Sequence, residues 1–86
     1  MESKLAEIDP ETSAFKILVY LTFKDKPLKP IEIAHGLNEK GSSVRARLAE
    51  LKQSGLVEST SDGYVAVPTS YDILMKIYRD LSGNKD

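Results

Sequence analysis

Apolar and polar residues alternate along the chain with two different periods. Phe15, Leu18, Val19 and Thr22 recur at helical spacing, with Ile17 and Leu21 widening the face, and predict a helix over about 10–24. Its start is written in "DPET": Asp9 is a capping residue, and Pro10 suits the first helical position, where its missing N–H costs nothing. Ser13, Lys16 and Tyr20 fall on its wetter side. "KDKPLKP" ends that helix, because Pro27 and Pro30 push Lys26 and Lys29 towards extended geometry, and Leu28 is placed for a very short strand. Pro30 opens a second helix, "PIEIAHGL", with Ile33, Ala34 and Leu37 on one side. "GLNEKG" predicts a turn, since Asn38 and Gly41 tolerate left-handed backbone.

A third helix is expected over about 42–54. Val44, Leu48 and Leu51 form one apolar stripe, while Ser42, Ala46, Ala49 and Gln53 point away and Arg45 and Arg47 lie on opposite flanks. Gly55 suits the position after a helix, and Leu56 and Val57 then turn back towards the core. The period next changes to that of strands. "LVEST" and "YVAVP" flank "SDG", and Asp-Gly is a strong hairpin signal. Pro68 stops the second run. "TSYD" is a capping box opening a fourth helix over about 70–82, with Ile73, Leu74, Ile77, Tyr78 and Leu81 on its apolar face. Tyr71 and Tyr78 are candidates for the core edge or for a dimer contact.

The chain has 86 residues, enough for one domain that buries only about 60% of its unfolded surface. Residues 10–82 form that domain, 1–9 are either flexible or extend the first helix, and 83–86 are a polar tail. The absence of cysteine excludes disulfides and thiolate zinc sites. No apolar run approaches membrane-spanning length, and the acidic N-terminal stretch has no secretory signature, so a cytoplasmic protein is expected. Net charge is −1 but is unevenly spread. Residues 1–15 carry one base and four acids, 16–52 carry eight bases and four acids, and 53–86 carry three bases and five acids. Positive charge therefore concentrates in the middle of the chain, where the third helix lies.

The series "PIEIAHGLNEKGSSVRARLAELKQSGLVESTSDGYVAV" resembles the winged helix-turn-helix domains of MarR-like and ArsR-like transcription regulators of prokaryotes and archaea. Ile33 and Val44 stand eleven residues apart, then follow Leu48, Leu51, Gly55, Leu56 and Val57, a hairpin with Gly63 and Tyr64, and a helix capped by Thr69. The resemblance implies an α+β, mostly α fold with a three-helix core, a β-hairpin wing and a C-terminal helix. It implies double-stranded DNA as partner, with the third helix in a major groove about 12 Å wide. The positions carried over are Ser42, Ser43, Arg45 and Ala46, with Lys40 in the preceding turn, while Arg47 and Lys29 suit backbone phosphates. Arg45 is the candidate reader of a guanine edge, because a guanidinium bonds O6 and N7 together. A homodimer through helices 1 and 4 is expected by the same resemblance.

Competing readings are local. Arg45 and Arg47 suit a solvated face or pairing with Glu50, and Ser42 and Ser43 suit an ordinary first turn. The wing tip has no Lys or Arg and carries Glu58 and Asp62, which favours a winged-helix protein-interaction module. His35 is the sole histidine and is expected at the surface. No nucleophile elbow, phosphate-cradling loop or metal motif is present, so neither enzyme activity nor a cofactor or metal is expected.

Overall fold

A computed structural model of the chain describes residues 12–83 together with Leu5, Ile8 and Asp9. Within residues 12–83 the order is α1 (Ser13–Lys24), α2 (Pro30–Leu37), α3 (Gly41–Gln53), β1 (Val57–Thr60), β2 (Gly63–Ala66) and α4 (Ser70–Ser82). This is a small, mostly helical α+β arrangement with one antiparallel hairpin, an order compatible with a winged-helix layout.

Helix α1 begins three residues later than the sequence suggests. Thr12 is the cap: its Oγ1 accepts from the Phe15 N–H at 3.3 Å and donates to the Asp9 carbonyl at 2.7 Å. Asp9 thus supplies a carbonyl to the cap and is not the cap itself, and Pro10 lies outside the described residues. The buried face is Phe15, Ile17, Leu18 and Leu21, so Ile17 and Leu21 are central, whereas Val19 is half-buried. Helix α2 starts at Pro30 as expected, and its first turn is closed by the Glu32 carboxylate, which accepts from the Lys29 N–H at 2.7 Å. Asn38, with φ of 56°, ends α2: the Glu39 N–H reaches the Ala34 carbonyl and the Asn38 N–H that of His35. Gly41 is not part of the turn. It is the first residue of α3, one residue ahead of the predicted start, and its φ is not positive.

Gly55, with φ of 80°, closes α3 in a Schellman arrangement, in which the Leu56 N–H bonds the Leu51 carbonyl and the Gly55 N–H that of Lys52. Leu51 and Leu56 are both buried, the apolar contact such a stop normally carries. The hairpin pairs Val57 with Ala66 through Thr60 with Gly63, so its turn residues are Ser61 and Asp62. Gly63 is therefore a strand residue with a different task from turn formation. Its φ is 137°, and a Cβ there would stand 2.5 Å from the backbone carbon of Leu28. That close approach allows Leu28 and Tyr64 to exchange two backbone hydrogen bonds of 3.0 and 2.7 Å, which fastens the wing to the α1–α2 connection and makes Leu28 the short strand that was expected.

The core gathers Phe15, Ile17, Leu18 and Leu21 from α1, Ile33 and Ala34 from α2, and Val44, Leu48 and Leu51 from α3. Leu5, Leu28, Leu56, Val57 and Ile73 complete it. Of the N-terminal stretch expected to be flexible or helical, Leu5 is buried in this core and Ile8 packs against it. Residues 1–4, 6, 7, 10, 11 and 84–86 lie outside the described set.

Helix α4 has its predicted bounds and capping box, with the Asp72 N–H donating to Thr69 Oγ1 and the Thr69 N–H to Asp72 Oδ2. Its apolar face is oriented differently from the expectation. Ile73 is buried and Ile77 half-buried, but Leu74, Tyr78 and Leu81 are exposed, and Lys76 is buried in their stead. The Lys76 stem runs over the Phe15 ring, with Nζ 5.7 Å from its centroid and 3.1 Å from Asp80 Oδ2. A long alkyl stem with a paired head substitutes for an apolar side chain there. No helix among the described residues is long and apolar enough to cross a membrane.

Candidate nucleic-acid interface

The geometry of the site follows from α3. Val44, Leu48 and Leu51 bury one face, which commits the opposite face to the outside. Ser42, Ser43, Arg45, Ala46 and Ala49 are all exposed, as is Lys40, which precedes the helix without a side-chain capping bond. Lys29 is exposed at the start of α2. Six of the seven proposed contact residues are thus open to a partner.

The two arginines differ. Arg47 is half-buried and donates through Nη2 to Glu50 Oε2 at 2.8 Å, while its Nε is buried without a hydrogen bond. That is the local pairing anticipated as the alternative, and it neutralises this flank of α3. Arg45 forms no ion pair among the described residues. Its Nη1 lies 3.6 Å from where a Cβ on Gly41 would stand, so the guanidinium is folded back towards the first turn of α3. Positive charge and the N-terminal amides of the helix are thereby brought to the same end. The hydroxyls of Ser42 and Ser43 hold no hydrogen bond within the described residues, so they too are available there.

A shallow open depression of about 610 Å³ beside Arg45 is lined by Ile31, Ala34, His35, Asn38 and Glu39 as well. His35 sits at the surface, as expected, and is on its rim. Ile31 is 69% exposed on the outer side of α2. Two further residues were given no role in the sequence. Lys52 is exposed and seven residues after Arg45, on the same flank of α3. The helical period alone would have found it.

Glu39 is the second. It stands in the turn between α2 and α3, and its carboxylate accepts from Ser13 Oγ at 2.9 Å and pairs with Lys16 Nζ at 2.6 Å. The Lys16 ammonium, then the Ser13 hydroxyl, hold this carboxyl below the usual glutamate range. The nominally wet side of α1 is thus tied to the turn that aims α3. Tyr20, also expected on that side, packs its hydroxyl over Gly36 of α2, in the space a Cβ would need. No signal in the sequence marks these long-range ties, because they join residues 26 apart for Ser13–Glu39 and 16 apart for Tyr20–Gly36.

The wing tip is acidic and exposed, with Glu58 and Asp62 both facing solvent. No group of three or more potential metal ligands occurs among the described residues. Comparison with known protein families, curated proteins and solved structures finds no match.

Proposed function

We propose that the protein is a DNA-binding transcription regulator of the winged helix-turn-helix type, with α3 entering the major groove. The observation that carries this reading is the outward half of α3: Ser42, Ser43, Arg45 and Ala46 are exposed together at the helix start, with an arginine that pairs with no carboxylate among the described residues. Small residues at 42, 43 and 46 let the helix approach base edges closely, and Arg45 supplies the one side chain long enough to bond a guanine bidentately. Lys29 and Lys40 contact phosphates, and Arg47 does so only if it exchanges Glu50 for a phosphate oxygen.

A second reading, a winged-helix interaction module with little affinity for DNA, is favoured by the acidic wing and by the Arg47–Glu50 pair. The two are separated by titrating the protein into duplex DNA at several salt concentrations. Each phosphate neutralised adds about −0.9 to the slope of log Kobs against log salt. A steep negative slope supports the regulator, and no binding at low salt supports the module. Within the first outcome, selection from a random duplex library should return a preferred G-containing site whose G preference is lost with Arg45→Ala.

A further inference from the structure

Unspent donors from α2 and α3 converge on the shallow depression beside Arg45. His35 and Asn38 line it from α2 and its C-terminal cap, Arg45 lines it from α3, and the exposed Ile31 gives it an apolar edge. Ile31, His35 and Asn38 are four and three residues apart, so they run as one stripe along α2. The His35 ring, the Asn38 side-chain amide and the Arg45 guanidinium form no hydrogen bond or ion pair among the described residues. Glu39 is the carboxylate on this lining, and it is already taken by Ser13 and Lys16. A hollow with free donors and a spent acid is suited to an anion.

We infer that this depression seats a phosphate of the DNA backbone with the His35 imidazolium as its charged donor, so that DNA binding takes up a proton. The inference rests on the reading of α3 as the DNA-contacting helix and adds a contact on α2 beside it. The lining selects the occupant. A backbone phosphate accepts from the His35 ring and the Asn38 amide together, within the positive field of Arg45. The deoxyribose carbons of the same strand cover Ile31. A free phosphate uses the donors and leaves Ile31 in water, so the nucleic acid fits the whole surface and the free anion only part of it.

The proton follows from the residue type. Histidine is the side chain whose ordinary charge change falls in the physiological range, and a phosphate within bonding distance favours imidazolium over imidazole. Around His35 stand Glu32 one turn earlier and Glu39 one turn later on the chain, and Arg45 from α3. From α1 come Tyr20, over the adjoining Gly36, and Lys16, paired with Glu39. Ordinary carboxylates, tyrosines, lysines and arginines keep their charge state between about pH 6 and pH 8. His35 is the sole histidine and the chain has no cysteine, which leaves the α-amino group as the other ordinary titrating group in that range. Affinity for DNA therefore rises as pH falls through it.

The test is duplex binding by fluorescence anisotropy on the full chain, at constant low salt in phosphate-free buffers, at both ends of that pH range. The wild type should bind about tenfold tighter at the lower pH, the effect of one opposite charge on a titrating ring. His35→Gln should lose the difference and keep the weaker, high-pH affinity. His35→Lys, charged throughout, should bind at both pH values about as tightly as the wild type does in acid. His35 is exposed, so both variants leave the core untouched. Wild-type binding that ignores pH overturns the inference and leaves the reading of α3 standing, as does a pH dependence that survives in His35→Gln. No binding at low salt at either pH defeats the reading of α3 itself, and the phosphate seat with it. Free phosphate is the other source of the same chemistry, and the ring resonances of the single histidine distinguish it. They should respond to duplex at far lower concentration than to inorganic phosphate; the reverse order assigns the depression to a free anion and overturns DNA as its occupant.

Discussion

Replacing Glu39 should loosen the turn that aims α3. The carboxylate receives a hydrogen bond from Ser13 at 2.9 Å and an ion pair from Lys16 at 2.6 Å, with its own side chain 18% exposed and that of Lys16 54% exposed. A hydrogen bond to a charged acceptor contributes about 1.5–3 kcal/mol, and the exposure of Lys16 holds the ion pair to about 0.5 kcal/mol. Glu39→Ala is therefore expected to cost about 2 kcal/mol, and Glu39→Gln, which keeps an acceptor for Ser13, about 1 kcal/mol. Since Lys16 and Ser13 lower the folded-state pKa of Glu39 below its unfolded value, the stabilisation is full above the unfolded pKa of about 4.3 and is lost as pH falls through the folded pKa. Urea unfolding of wild type and Glu39→Gln, followed by circular dichroism from pH 7 downwards, measures both quantities. The difference should be largest at neutral pH and should vanish in acid. A neutral-pH difference below about 0.3 kcal/mol, or one that persists unchanged in acid, would refute the argument. A double-mutant cycle with Lys16→Met isolates the ion pair.

Other consequences are equally direct. Gly63→Ala should cost about 2–4 kcal/mol, from the strain of a positive φ and the broken Leu28–Tyr64 exchange, whereas Gly55→Ala, with open space around it, should cost about 1–2 kcal/mol. Equal costs in urea unfolding would show that the Leu28 contact does not constrain the wing. Leu48→Ala, at a fully buried position, should cost about 2–5 kcal/mol in the same assay, and a cost under about 1 kcal/mol would place Leu48 outside the core. Asp62→Lys at the wing tip should tighten DNA binding and steepen its salt slope by about one unit if the wing lies beside phosphate; an unchanged slope would put the wing clear of the duplex.

Local chemistry was legible in the sequence wherever one residue type decides the geometry. Pro30 fixed the start of α2, Gly55 the end of α3, and the Thr69–Asp72 pair the start of α4. The stripe of Val44, Leu48 and Leu51 gave the orientation of α3 and hence the exposure of Arg45. Signals with two plausible outcomes misled. Asp9 and Thr12 both suit a cap, and the chain uses Thr12. Asp62-Gly63 reads as a turn, yet Gly63 is needed where β2 meets the Leu28 backbone. The apolar periodicity of α4 correctly gave a helix but not which arc meets the core, because Lys76 is amphipathic enough to occupy a buried place and release Leu74, Tyr78 and Leu81 to the surface. Contacts such as Ser13–Glu39 depend on how helices far apart in sequence are brought together, and no local pattern encodes them.

The reading of α3 as the DNA-contacting helix is tested most directly by nuclear magnetic resonance. Duplex DNA is added at low salt to the isotope-labelled chain, and backbone amide shifts are followed residue by residue. Perturbations concentrated on Lys40 to Arg47, with a smaller group at Lys29, and reversed by added salt, are the predicted result. Amides of α3 that stay unmoved at saturating DNA, or shifts confined to α4, would contradict it.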